Sequence, residues 1–236
     1  VKPGAGLPLA IVISGRGSNM LAIARACAAN SIGAQVARGI AERDEAAGRP
    51  AARELGLATS VVAARGHAER AGFEAALQAE IDASGARLVV LAGFMRILSP
   101  AFTAAYAGRL LNIHPSLLPG YPGLRTHERV LAAGETEHGA SVHFVTAELD
   151  GGPVVLQGRV PVLAGDTVAS LSARVQRIEH IIYPQAIGWV AAGRLALRGG
   201  VAQLDGLPIG APPLAGEAAV AMTATAPAGP GTGVHP

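Results

Sequence analysis

Residues 9–30 read LAIVISGRGSNMLAIARACAAN. Residues 9–13 are apolar without a break, the pattern of a strand buried on both faces. The run stops at Ser14-Gly15-Arg16-Gly17-Ser18-Asn19, and a segment of helical character follows. Strand, glycine loop and helix together form an anion-binding layout. Glycines let backbone N–H groups approach an anion, and Ser18 or Asn19 can cap the helix. The loop is neither G-x-G-x-x-G nor a P-loop ending in Lys-Ser/Thr, so it indicates neither a dinucleotide nor ATP. It suits a phosphate monoester, although a plain strand-to-helix turn with a capping residue reads the same way.

Outward from this unit, strands and helices alternate. Strands are expected at 34–40, 59–63, 87–93, 110–114, 140–145 and 154–160. Helices are expected at 44–55, where Pro50 is a weak point, at 67–83, at 100–107 after Ser99, and at 126–133 closed by Gly134. Asp166 and Thr167 are placed to cap a long helix from 168 to about 192, which Pro184 kinks or divides. This alternation predicts an α/β fold, a mainly parallel twisted sheet with helices on both faces. Residues 1–8 are expected to be flexible, 9–200 to form one domain, 201–216 an extension, and 217–236, mostly Ala, Thr, Gly and Pro, a disordered tail.

Composition excludes several function classes. Of 236 residues, 50% are hydrophobic and 15% charged, enough for a sizeable core, and with only 3% aromatic residues Ala, Val, Leu and Ile must fill it. Net charge is +2 and the basic residues are scattered among acids, which argues against nucleic-acid binding. A single cysteine, Cys27, permits no intrachain disulfide and fits a reducing, cytoplasmic setting. No apolar run is long enough to span a membrane, and the start, VKPGAGLP, lacks a signal-peptide core. The histidines, His67, His114, His127, His138, His143, His180 and His235, fall in no metal-binding spacing, so no metal is expected. G-x-S-x-G is absent, and Cys27 is poorly placed for a nucleophile.

Chemistry concentrates in LLNIHPSLLP, residues 110–119. Asn112 and His114 are two residues apart on a strand and so share one face. Pro115 ends the strand, which leaves an amide and an imidazole at a strand end, where α/β sheets bind ligands. Asp150, in a glycine-containing polar turn, is the candidate carboxylate partner, although an Asp there is also ordinary turn chemistry. A histidine beside a carboxylate holds its proton. With an Asn amide it supplies two donors to an oxyanion, which suits acyl transfer to an acceptor that brings its own nucleophile, such as an amine.

Five blocks in order carry a resemblance: GRGSN at 15–19, LAGFMRILSP at 91–100, LLNIHPSLLPGYPG at 110–123, HGASVHFV at 138–145 and LDGGPVVLQ at 149–157. RVQRIEHIIYP at 174–184 extends it. Over about residues 9–198 the chain resembles the phosphoribosylglycinamide formyltransferases, the folate-dependent glycinamide ribonucleotide transformylases of purine synthesis. The resemblance implies a Rossmann-like formyltransferase fold over 9–200, 10-formyltetrahydrofolate as donor and glycinamide ribonucleotide as acceptor. It implies a cytoplasmic monomer or homodimer without metal. Asn112, His114 and Asp150 match the catalytic trio: Asn112 to donate to the formyl oxyanion, His114 to stabilise the intermediate electrostatically and help move protons, Asp150 to hold His114 charged. Gly17, Ser18 and Asn19 match the loop that holds the substrate phosphate, and Gln176 and Glu179 match contacts to the acceptor. Arg70, Met95, Arg96, Ile97 and Leu98 match the folate side, together with Asn112, and the loop at 146–150 is expected to close over the same pocket.

Two positions depart from the family. Arg16 stands where some members carry Asn, and either assists the phosphate or faces solvent. Ala41-Glu42 replaces a frequent Ser-Asn. Two related enzymes share the Asn-x-His and Asp logic. Formyltetrahydrofolate hydrolases usually carry a regulatory domain ahead of the first strand. Methionyl-tRNA formyltransferases carry a C-terminal β-barrel that this tail is too short to build.

Overall fold

The computed structural model describes residues 6–216. Its first strand, β1 (Leu7–Ile13), starts two residues before the apolar run. Leu7 and Pro8 therefore belong to the sheet and not to a flexible terminus: Leu7 pairs with Ala34, and its N–H donates to the Gly33 carbonyl at 2.9 Å. After α1 (Ser18–Ala28) come β2 (Ala34–Ala41), α2 (Gly48–Glu54), β3 (Thr59–Val61), α3 (Arg70–Ala83) and β4 (Leu88–Leu91). Then follow α4 (Pro100–Ala105), β5 (Leu110–His114), α5 (Thr126–Ala133), β6 (Glu137–Phe144), β7 (Val154–Pro161) and α6 (Val168–Ala191). Four short strands close the described chain: β8 (Leu195–Arg198), β9 (Val201–Leu204), β10 (Leu207–Pro208) and β11 (Leu214–Gly216).

Eight strands make one sheet in the order β11-β7-β6-β5-β4-β1-β2-β3. Pairings are parallel except where β6 runs against β5 and β7. The chain winds outward from β1 through β2 to β3, then crosses back to β4. The order thus reverses between β1 and β4, where open α/β sheets leave a crevice at the carboxyl ends of their strands.

β1 shows why its sequence is apolar throughout. Leu9, Ile11 and Ile13 pack on one face with Met20 and Ile23 of α1 and Val175 and Ile178 of α6. Ala10 and Val12 pack on the other with Phe73, Leu77 and Ile81 of α3 and with Phe102 and Tyr106. These five residues are at most 1% exposed. Tyr183 of α6 ties this core to the crevice, its buried hydroxyl shared between the Leu91 and Leu111 carbonyls at 2.9 and 3.0 Å.

Several expected boundaries move for local reasons. α2 starts at Gly48, not at 44, so Pro50 falls in the first turn, where its missing N–H has no helical partner to lose. α3 starts at Arg70 and not at 67, because the backbone is extended at His67, which closes a 3₁₀ turn at 64–66, and at Glu69. β6 begins at Glu137, three residues before the expected strand. α6 is one continuous helix with Pro184 inside it, opened by a reciprocal cap between Thr167 and Ser170. Residue 200 lies in the turn of the β8–β9 hairpin, so the extension expected at 201–216 is paired with the chain before it. β8, β9 and β10 form a second antiparallel sheet, while β11 adds in parallel to the β7 edge. The expected disorder of 217–236 concerns residues outside those described.

Candidate active site

The glycine loop turns sharply because Gly17 adopts a left-handed φ of +66° beside the α-carbon of Gly48; a Cβ there would sit 3.0 Å from it. Gly17 itself is the N-cap of α1, with no side-chain cap. The expected capping by Ser18 or Asn19 is therefore corrected: α6 recruits both side chains. Gln176 Nε2 donates to Ser18 Oγ at 3.0 Å, and Asn19 Nδ2 donates to Glu179 Oε2 at 2.8 Å. The first N–H groups of α1 face the crevice without a side-chain cap, the arrangement that suits an anion. Glu179 is 9% exposed, and burial pushes its carboxyl up to about 7, against the opposing pulls of the Asn19 amide and the Arg16 charge. Arg16 is exposed at the rim of the same cavity.

Asn112 and His114 sit on β5 as the period of two requires, opposite His143 and Ser141 of β6. His114 is buried. Its Nε2 lies 3.0 Å from the Tyr121 carbonyl, and its Nδ1 lies 3.4 Å from Asp150 Oδ2. The Tyr121 carbonyl can only accept, so Nε2 carries a hydrogen, and the Asp150 carboxylate faces Nδ1. Asp150 reaches this place from a tight turn. Its own φ is +52°, which Asp tolerates, and the turn closes so tightly that a Cβ on Gly152 would fall 1.9 Å from the Phe144 carbonyl. Gly123 N–H donates to Asp150 Oδ2 at 2.8 Å and fixes the carboxylate.

His143 is the residue that motif reading missed. Its Nε2 is 3.1 Å from Asn112 Nδ2 and its Nδ1 is 3.0 Å from the Phe144 carbonyl. Burial outweighs the pull of that carbonyl and of Asp150 and lowers its basicity. The signal for it was the alternation of residues 141–145, which puts His143 on one side of its strand, but only the β5–β6 register shows what it faces. His127 and His138 form a second imidazole pair at 3.0 Å, and burial pushes His138 down to about 4.

A cavity of about 650 Å³ joins these parts. Gly17, Ser18, Asn19, Met95, Arg96, Ile97, Asn112, His114, Asp150, Gln176 and Glu179 all line it. A smaller recess of about 90 Å³ adds Leu98, His143 and the loop at 146–150 around Asn112. The segment at 93–98 is anchored from both sides. Met95 N–H donates to Ser14 Oγ at 2.8 Å, and Arg96 pairs with the buried carboxylate of Glu42 at 2.5 Å. The unusual Glu42 thus holds the wall of the cavity. Arg70 is the expected site residue that is not brought in. It lines neither cavity and lies 3.7 Å from Glu74, whose carboxylate also accepts from Ser99 N–H at 2.7 Å. Among the described residues no cluster of His, Cys, Asp and Glu is arranged to hold a metal ion, and no helix is long and apolar enough to cross a membrane.

Residues 7–187 match the formyl transferase family model. The phosphoribosylglycinamide formyltransferase of Escherichia coli (strain K12) is 53% identical over 198 residues, 84% of this chain and 93% of that protein. Among solved structures, the phosphoribosylglycinamide formyltransferase of Coxiella burnetii superposes with a TM-score of 0.84 at 43% identity, covering 89% of this chain and 100% of that one. A glycinamide ribonucleotide transformylase from Symbiobacterium toebii gives 0.82 at 40% identity, covering 86% and 95%. The mainly parallel sheet with helices on both faces is thus the formyltransferase fold, and the chain belongs to the phosphoribosylglycinamide formyltransferases within the formyl transferase family.

Proposed function

We propose that Asn112, His114 and Asp150 carry out the reaction of this family here: transfer of the formyl group of 10-formyltetrahydrofolate to the amine of glycinamide ribonucleotide, in purine biosynthesis. The observation that carries this assignment of roles is the meeting of the three side chains at the end of β5, in one cavity with the open N-terminus of α1. That cavity is of the size that binds small organic ligands.

The ribonucleotide phosphate sits at Gly17, Ser18 and Asn19, and Gln176 and Glu179 meet the rest of the acceptor. The folate lies along Met95, Arg96, Ile97 and Leu98, with its formyl group at Asn112. The acceptor nitrogen attacks the formyl carbon, whose oxygen becomes an oxyanion in a tetrahedral intermediate. Asn112 Nδ2 donates to that oxygen, and the His114 imidazolium, held by Asp150, lowers the energy of the same charge. The C–N bond to the folate then breaks, and the proton lost by the amine goes to the leaving nitrogen with His114 in reach. No metal enters this scheme. The reading places the reaction in the cytoplasm, on a monomer or homodimer.

His114→Ala tests it. Turnover is expected to fall by about 100-fold or more while the KM for the ribonucleotide changes much less. Equal turnover in the variant would remove His114 from its role.

A further inference from the structure

We propose that His143 is a positioning residue for formyl transfer: its Nε2 lone pair fixes which end of the Asn112 carboxamide points at the reacting carbonyl. This rests on the reading of Asn112 as the oxyanion donor.

Residues 112 and 143 are direct cross-strand partners, so the two side chains meet on one face of the β5–β6 pair. An imidazole and a carboxamide at 3.1 Å admit more than one proton arrangement, and the surroundings of His143 select among them. The Phe144 carbonyl, 3.0 Å from Nδ1, can only accept, so Nδ1 carries a hydrogen. The ring is 2% exposed, and burial disfavours a second proton on it. Among the described residues, Asp150 Oδ1 is the one carboxylate paired with Nε2, and at 3.8 Å it is beyond hydrogen-bond range. His114 also disfavours a positive charge there. His143 is therefore the neutral Nδ1–H tautomer, with a bare lone pair on Nε2.

A lone pair needs a donor, and only the nitrogen end of the Asn112 carboxamide is one. The flipped amide would set two acceptors against each other. The two ends of a carboxamide are nearly the same size, so packing alone does not choose between them. One N–H of Asn112 is used by His143, and the other remains for an oxygen in the cavity. Without the lone pair the amide would also present its own oxygen to the oxyanion, where it repels instead of stabilises.

The test combines nitrogen NMR of the ¹⁵N-histidine-labelled full chain with steady-state kinetics. The wild type at neutral pH is expected to show His143 with Nδ1 protonated and Nε2 bare. His143→Phe keeps the bulk and removes the lone pair. It is expected to lower kcat by about 10- to 100-fold, with both KM values within about threefold. His143→Gln offers a side-chain oxygen near the Nε2 position, and is expected to recover a substantial part of that loss. An Nε2–H tautomer in the wild type would overturn the proposal, and decides it even if His143→Phe does not fold. Wild-type kcat in a folded His143→Phe, or a Gln variant no better than Phe, would overturn it as well. Asn112→Ala, assayed in parallel, separates the two claims. If that variant retains full turnover, the donor reading itself fails. If it is impaired while His143→Phe is not, only the role of His143 fails.

Discussion

The two ends of the cavity are built differently. At the β5 end each proposed catalytic side chain is held from outside the reaction. Asn112 meets His143, His114 meets the Tyr121 carbonyl and Asp150 accepts from Gly123 N–H. At the glycine-loop end the proposed binding residues hold one another, Ser18 with Gln176 and Asn19 with Glu179. The β5 end is thus oriented before a substrate arrives, whereas the loop end must exchange bonds when one does. The lesson is a division of labour. Changes at the first end should appear in kcat, and changes at the second in KM or in stability.

The largest effect should come from Asp150→Asn. It keeps the shape and the Gly123 contact but removes the charge facing His114. Steady-state kinetics should show kcat lower by about 100-fold or more, with the ribonucleotide KM changed by less than about threefold. A variant with near-full turnover would reduce Asp150 to a turn residue and erase the contrast. Next, Gln176→Ala should raise the ribonucleotide KM by about three- to tenfold with kcat nearly unchanged. A selective kcat loss there would mean that the loop end also orients the reacting atoms.

A third, smaller effect concerns stability and pH. Burial raises the Glu179 carboxyl from 4.5 to about 7. The folded chain then holds this proton more tightly than the unfolded chain, so the penalty of the charged form is absent below pH 4.5 and grows as pH rises to about 7. Glu179→Gln has no such penalty. Relative to the wild type, it should gain up to about 3 kcal/mol between these limits, read as the difference in urea midpoints at pH 4.5 and 7.5. Taking the difference cancels the opposite trend from His138, which burial keeps neutral. A pH-independent difference would show that Glu179 is not desolvated as its place implies. The smallest effect is expected of Arg16→Asn. Exposed at the rim, Arg16 should contribute less than about threefold to the ribonucleotide KM at low salt, and nothing measurable at about 1 M.

The parts of this molecule legible in its sequence are those set by local pattern. β1 is readable because both of its faces are covered, which makes residues 9–13 apolar. Asn112 and His114 are readable as neighbours because a strand has a period of two. Asp150 was recognisable by type, but its approach to His114 depends on a turn that closes against Phe144. The remainder is non-local. The contact between His143 and Asn112 follows from the β5–β6 register, which no single segment encodes. Ser18 and Asn19 look like caps because their competition with α6 spans about 160 residues. Pro184 looks like a helix breaker, yet the core around α6 keeps the helix whole. The small sheet of β8 to β10 escaped notice because its strands are short and only weakly apolar.

The most direct test of the account is formyl transfer itself. The chain is mixed with 10-formyltetrahydrofolate, and absorbance follows the appearance of the deformylated folate, with and without glycinamide ribonucleotide. The account predicts turnover that requires the ribonucleotide. Turnover at the same rate without it would mean that water takes the formyl group and would contradict the account.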